Sequence, residues 1–174
     1  MAVVKANYVK RDKKEKARAK ATIRYMQHRP GKAGKRTQRT LFGSDGVMER
    51  QEAYGLIDDA AKGSIFFRFI LSPDPEREDS RADPDLRALT EHTMSIMTEK
   101  FQKLQKVVQW VAAVHADHAP HRHVHILAVV PGRLTGQDFD HLRTAATTAS
   151  GAQRKELDRS GEQQRKEVGW QLPA

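Results

Sequence analysis

Two apolar runs decide most of how this chain can fold. Residues 106–114 read KVVQWVAAV and residues 123–130 read HVHILAVV, with the polar segment HADHAPH between them. Each run has strand length, is rich in Val with Trp or Ile, and lacks Gly and Pro. Two such strands joined by a short polar loop most simply form an antiparallel hairpin. A third run, SIFFRFIL at 64–71, is a further strand with few breakers.

The remaining segments arrange themselves around these strands. TLFGSDGVM reads as a short strand entering a turn at Asp45-Gly46, and 48–61 as a short helix. SPDPEREDSRADPD, with two Asp-Pro steps, is a loop. Asp83 then reads as a helix N-cap, with Pro84 at the first helical position. Leu86, Leu89, Thr93, Met97, Phe101 and Leu104 recur every three or four residues, which predicts an amphipathic helix of about five turns. A second helical pattern starts near Thr135, with Phe139, Leu142 and Ala146 on one side. The division expected is a basic N-terminal arm at 1–20, one domain at 21–150, and a polar C-terminal helix or tail at 151–174.

Charge narrows the partner. Residues 1–40 hold fourteen Lys or Arg against two acids, Asp12 and Glu15, a net of +12, while the whole chain nets +9. A cationic segment of this density points to a polyanion, and nucleic acid is the commonest one. A membrane surface fits less well, because residues 10–24 lack a bulky apolar face. No window approaches the roughly 18 apolar residues of a membrane span. The N-terminus has no signal-peptide pattern. The expectation is a soluble, cytoplasmic protein. There are no cysteines, so thiolate metal sites and cysteine nucleophiles are excluded.

The hairpin carries the chemistry. Five of the eight histidines lie between residues 115 and 125: His115, His118, His121, His123 and His125. Strand side chains alternate between faces, so His121, His123 and His125 share one. If paired residue numbers in the hairpin add to an even value, His115 joins them. Alternate positions lie about 7 Å apart along a strand, within imidazole reach of one divalent ion. Two ligand sets stand: His115, His123 and His125, or His115, His121 and His123. The first is favoured because Pro120-His121 falls in the turn. His118 reads as a loop residue. Asp117 can accept the second N–H of a ligand histidine and fix its tautomer. A three-imidazole site keeps coordination positions open for a phosphate oxygen.

A metal beside a polyanion suggests phosphodiester chemistry, which needs a nucleophile. Tyr8, Tyr25 and Tyr54 are the only tyrosines. Tyr25 is the candidate, because its segment carries Arg24, Arg29, Lys32, Lys35 and Arg36, cations suited to a DNA backbone. Tyr8 and Tyr54 read as packing or phosphate-contacting residues.

These motifs resemble HUH-type relaxases, the DNA-nicking enzymes of plasmid mobilisation and conjugation. WVAAVHADHAPHRHVHILAVVPG resembles the family's metal motif, in which a strand ends in His-x-Asp and a short loop leads to a His-x-His strand. Here His115-Ala116-Asp117 and His121/His123/His125 take those places. IRYMQHRPGKAGKRTQRTLFGSDG resembles the nucleophile segment of the mobilisation-type branch, with Tyr25 at the tyrosine. FFRFILSPDPERED resembles the strand and loop between the two. The likeness spans roughly residues 20–132.

The resemblance implies an α+β fold: a central antiparallel sheet of about five strands with flanking helices. It implies Mg²⁺ or Mn²⁺ as the metal. It implies a site- and strand-specific endonuclease acting on single-stranded DNA at a transfer origin, with accessory mobilisation proteins as candidate partners. Tyr25 would form a 5′-phosphotyrosine link and release a 3′-hydroxyl, and the reverse step would religate the strand. Glu78, Asp79 and Asp117 are candidates for the base. Replication initiators and transposases of the same superfamily place their tyrosine after the histidines, whereas no tyrosine follows Tyr54 here. A metal-containing DNA-binding module without catalysis and a water-using metal nuclease remain as alternatives.

Overall fold

The computed structural model describes residues 1–117 and 121–169, with the backbone alone for 166–169. His118 and Pro120 of the loop, and the tail beyond residue 169, lie outside the described residues. In chain order the elements are β1 (Val3–Tyr8), α1 (Glu15–His28), β2 (Leu41–Gly43), β3 (Gly46–Met48), α2 (Arg50–Asp58), β4 (Ile65–Ser72), α3 (Leu86–Gln102), β5 (Gln109–His115), β6 (His123–Val130) and α4 (Gly136–Gly169). The class is α+β. The strands form one antiparallel sheet in the order β1-β4-β6-β5-β2-β3.

The sheet has six strands rather than about five, and the N-terminal arm explains part of the difference. Residues 1–20 do not stand off as a basic arm. Val3 to Tyr8 pair with β4 along their whole length, from Val3 opposite Ser72 to Tyr8 opposite Phe67. VVKANY looks weak because two of its residues are polar and it sits in a basic stretch. An edge strand needs only one neighbour and tolerates such a sequence. The basic segment that follows is the helix α1. It buries Ala19, Ile23 and Met26, spaced by four and three residues. Met26, two residues past the 10–24 segment, completes the stripe.

Helices cover both faces of the sheet. On one face α3 and α4 pack Leu89, Met94, Met97, Phe101 and Leu142 against Phe67, Phe69, Leu71, Val124, Ile126 and Val130. On the other, α1 and α2 pack Ile23, Met26, Ala53 and Ile57 against Phe66, Val111, Ala113, Leu127 and Val129. A strand buried on both faces loses the apolar–polar alternation, which is why the three strongest runs read as nearly continuous.

The cap of α3 differs from expectation. Asp85, not Asp83, accepts from the backbone N–H groups of Arg87 and Ala88 at 2.9 and 3.0 Å. Asp83 instead binds the Arg154 guanidinium at 2.5 and 3.2 Å, tying α4 to the loop before α3. Either aspartate could cap by local sequence. The distant arginine decides between them.

Candidate metal centre

The site begins with the hairpin register. His115 faces His123 and Ala113 faces His125, so paired numbers add to an even value throughout. His115, His123 and His125 therefore project from the same face. One ligand nitrogen from each lies within 4.8 Å of the other two. Ring centroids are 4.5 Å apart for His115–His125, 5.0 Å for His123–His125 and 5.4 Å for His115–His123. Of the two ligand sets read from sequence, the structure gathers the first. His121 is exposed, with its ring 6.3 Å from that of His123.

Backbone carbonyls settle two tautomers. His115 Nε2 donates to the Met26 carbonyl at 2.8 Å, leaving its lone pair on Nδ1. His123 Nδ1 donates to the His121 carbonyl at 3.3 Å, leaving its lone pair on Nε2. A carbonyl can only accept, so each contact requires the N–H on that nitrogen. His115 is fully buried. Burial, followed by the neighbouring His125 and the Arg39 charge, pushes its pKa down to about 3. The ring is neutral at ordinary pH, the form that ligates. Three converging imidazoles on one face are a donor set that can hold a divalent ion.

Tyr25 stands beside the cluster. It lies in the last turn of α1, is 47% exposed, and sets its ring edge-on to His125 at 6.0 Å and 89°. The Arg29 guanidinium sits 5.3 Å from the Tyr25 ring centre. The next residue, Met26, supplies the carbonyl that holds His115, so one helical turn serves both the tyrosine and the cluster. Tyr54 packs elsewhere, under Lys20.

The other sequence candidates lie on α1 and in the loop that follows it. Arg24, Lys32, Lys35 and Arg36 are exposed, and Arg29 is half-buried. Their loop is docked onto the end of β5, where Lys32 N donates to the Asp117 carbonyl at 3.0 Å. Gly31 lies so close that an added Cβ would come within 3.0 Å of Asp117 Oδ2. Asp117 accepts with both carboxylate oxygens from Arg39 Nη2, at 2.6 and 2.8 Å. The sequence reading gave this carboxylate the second N–H of a ligand histidine; Arg39 is a partner it did not foresee. Glu78 and Asp79 have partners of their own: Glu78 accepts from Asp74 N and pairs with the chain's amino terminus, and Asp79 pairs with Arg122.

Two features escaped the sequence reading. One is Arg39, hidden among fourteen basic residues. The other is a cavity of about 720 Å³ that opens between α1 and the β1 edge and reaches Tyr25 and His125. Its lining includes Lys5, Tyr8, Lys10, Arg18 and Arg68, and no acid. The register explains the floor: His125 pairs with Ile70, which pairs with Lys5, and the adjacent row runs Leu127–Arg68–Asn7. One signal was available, the lone arginine inside SIFFRFIL. Comparison with known proteins adds no relative: no family model, no curated protein and no solved structure matches the chain. No helix among the described residues is long and apolar enough to cross a membrane.

Proposed function

We propose that this protein is a metal-dependent nicking enzyme for single-stranded DNA, working by tyrosine transesterification in the manner of a relaxase. The observation that carries the reading is the contact between Tyr25 and a three-histidine cluster, with the tyrosine ring 6.0 Å from the ring of His125. An exposed phenol beside a prospective metal centre, within a cationic rim, is the minimal equipment for phosphodiester transfer.

His115, His123 and His125 would hold the ion. An all-nitrogen donor set suits Mn²⁺ better than Mg²⁺, a hard ion that prefers oxygen. When bound, such an ion supplies Lewis-acid polarisation of the scissile phosphate. The Tyr25 oxygen attacks phosphorus and loses its proton. The bond from phosphorus to the 3′ oxygen breaks, and that oxygen leaves as a protonated hydroxyl. The 5′ phosphate stays on Tyr25, and reversal rejoins the strand. Arg29 and the exposed cations of residues 24–36 hold neighbouring phosphates. The cavity floored by Lys5 and Arg68 takes the strand beyond the reacting phosphate, with Tyr8, 63% exposed, as a stacking surface for an unpaired base. Mobilisation of a plasmid or other mobile element, in the cytoplasm and with accessory proteins, is the setting this reading proposes.

The test is covalent capture. The protein is incubated with Mn²⁺ and a random pool of single-stranded DNA, denatured, and searched for protein-linked DNA. An adduct mapped to Tyr25 and lost in Tyr25→Phe, with DNA affinity within about twofold of wild type, is the expected result. Cut DNA without an adduct would overturn transesterification in favour of hydrolysis.

A further inference from the structure

We propose that Arg39 is a positioning residue that locks the candidate nucleophile helix to the candidate metal strand through one buried guanidinium. This deepens the reading just given and rests on it for the identity of Tyr25 as the nucleophile. The geometry itself is independent of that reading.

The guanidinium bridges two elements. Nη2 donates to both oxygens of Asp117, two residues after the ligand His115. Nη1 donates to the Arg29 carbonyl at 2.9 Å and reaches the Met26 carbonyl at 3.5 Å. The side chain is only 8% exposed. A planar fork with fixed donor directions can serve a carboxylate on one side and helix-end carbonyls on the other, and a lysine cannot do both.

The carbonyls concerned end α1. The last four carbonyls of a helix have no partner within it, and here no glycine motif satisfies them. Arg29 N donates to the Tyr25 carbonyl, and His115 Nε2 donates to that of Met26. The Gln27 carbonyl takes the backbone N–H of Arg39, and the Arg29 carbonyl takes Thr37 Oγ1 at 2.6 Å as well as the guanidinium. Beyond the helix's own bonds, the carbonyls of Met26, Gln27 and Arg29 are thus held by His115 or by residues 37–39. Arg39 contributes with both its backbone and its side chain. A positive charge also suits a helix C-terminus. The Met26 carbonyl is shared by Arg39 and His115, so the guanidinium bears on the same turn that holds a candidate metal ligand.

Misplacing reacting groups by about 1 Å can cost on the order of a hundredfold in rate. Arg39→Lys retains charge and removes the bridge, so it separates positioning from electrostatics. Two readouts decide the matter, both taken well below the melting temperature. The first is the rate of adduct formation at saturating single-stranded DNA and Mn²⁺, set beside the DNA dissociation constant. The expected result is a rate at least tenfold lower with the dissociation constant within about threefold. A stability role alone would lower the melting temperature and leave the rate per folded molecule unchanged, which overturns the proposal.

The second readout needs no activity. Protein labelled with 3-fluorotyrosine is titrated with Mn²⁺, and the fluorine line of Tyr25, assigned through Tyr25→Phe, is followed. Strong broadening in wild type and weaker, heterogeneous broadening in Arg39→Lys is the expected pattern. Equal broadening in both refutes the locking role. If wild type forms no adduct, the transesterase reading fails, while the fluorine comparison still decides whether Arg39 sets the distance from Tyr25 to the cluster.

Discussion

The two faces of the sheet are built to different standards. The face under α3 and α4 is closed: both helices lay apolar side chains over the central strands, and α4 also reaches β1. The face under α1 and α2 is left unfinished. Its helices cover β5, β6 and the strands beyond, but β4 and β1 retain an open floor of Lys5, Asn7, Arg68 and Ile70. The histidine cluster sits on this second face, at the margin between packed core and open cavity. A face sealed with Leu, Met and Phe can only add stability. A face sealed in part can set a half-buried imidazole, that of His125, against an exposed tyrosine across a single ring contact. The comparison says where substitutions should unfold the molecule and where they should disarm it.

The sharpest way to break that comparison is to exchange the outcomes. Phe69→Ala on the closed face removes a fully packed ring and should cost about 3–5 kcal/mol. Its effect on metal binding should be no greater than its effect on the folded fraction. His123→Ala combined with His125→Ala should show the opposite pattern. Calorimetric titration with Mn²⁺ should show no binding. Wild type should gain about 2.7 kcal/mol of stability at a hundredfold excess over the dissociation constant, and the double variant should gain none. Equal metal-dependent stabilisation in wild type and double variant would remove the metal centre from the account.

A smaller effect should follow from acid. The folded state holds the pKa of His115 at about 3, against an ordinary 6.5. Below pH 6.5 the unfolded chain therefore takes a proton that the folded chain refuses, and stability falls as pH drops toward 3. At pH 5, about 1.5 units below the ordinary value, the loss is about 2 kcal/mol at 1.36 kcal/mol per unit. Urea unfolding in EDTA at pH 7 and pH 5 measures it, with His115→Gln as the comparison. The acid-sensitive share should vanish in that variant, and an identical pH dependence in both proteins would clear His115 of the effect.

Legibility followed the same division. Strands buried on both faces announce themselves as apolar runs, and α3 shows its stripe, so the three central strands and the hairpin could be read directly, while the α+β class came from the resemblance. Even the histidine face needed only the parity of one register. What stayed hidden depends on partners distant in sequence. β1 is an edge strand whose six residues make sense only opposite β4. Asp83 and Asp85 are equivalent caps until Arg154 takes one. Arg39 is one cation among fourteen until Asp117, 78 residues away, arrives beside it. Tyr25 was legible as a candidate through its cationic neighbours, but its contact with His125 depends on where the Ile23 and Met26 stripe docks on the sheet, which the spacing alone does not express.

The smallest expected effect tests the open floor itself. Lys5 ends the His125–Ile70 row, Arg68 lies in the adjacent Leu127–Arg68–Asn7 row, and both are exposed. If a single strand crosses this floor, each cation that neutralises a phosphate contributes about 0.7 to the slope of log affinity against log salt. Lys5→Ala with Arg68→Ala should lower the magnitude of that slope by about 1.4, weaken binding alike across unrelated sequences, and leave Mn²⁺ affinity unchanged. Lys103→Ala with Lys155→Ala removes the same charge from the region of α3 and α4, so it controls for net charge. The control should leave the slope where it was. If both pairs shift the slope equally, attraction is diffuse, and the cavity beside Tyr25 is not the strand's path. If only the Lys5 and Arg68 pair moves it, the unfinished face is where the strand lies, and its two rows of cross-strand neighbours give the direction in which it leaves the tyrosine.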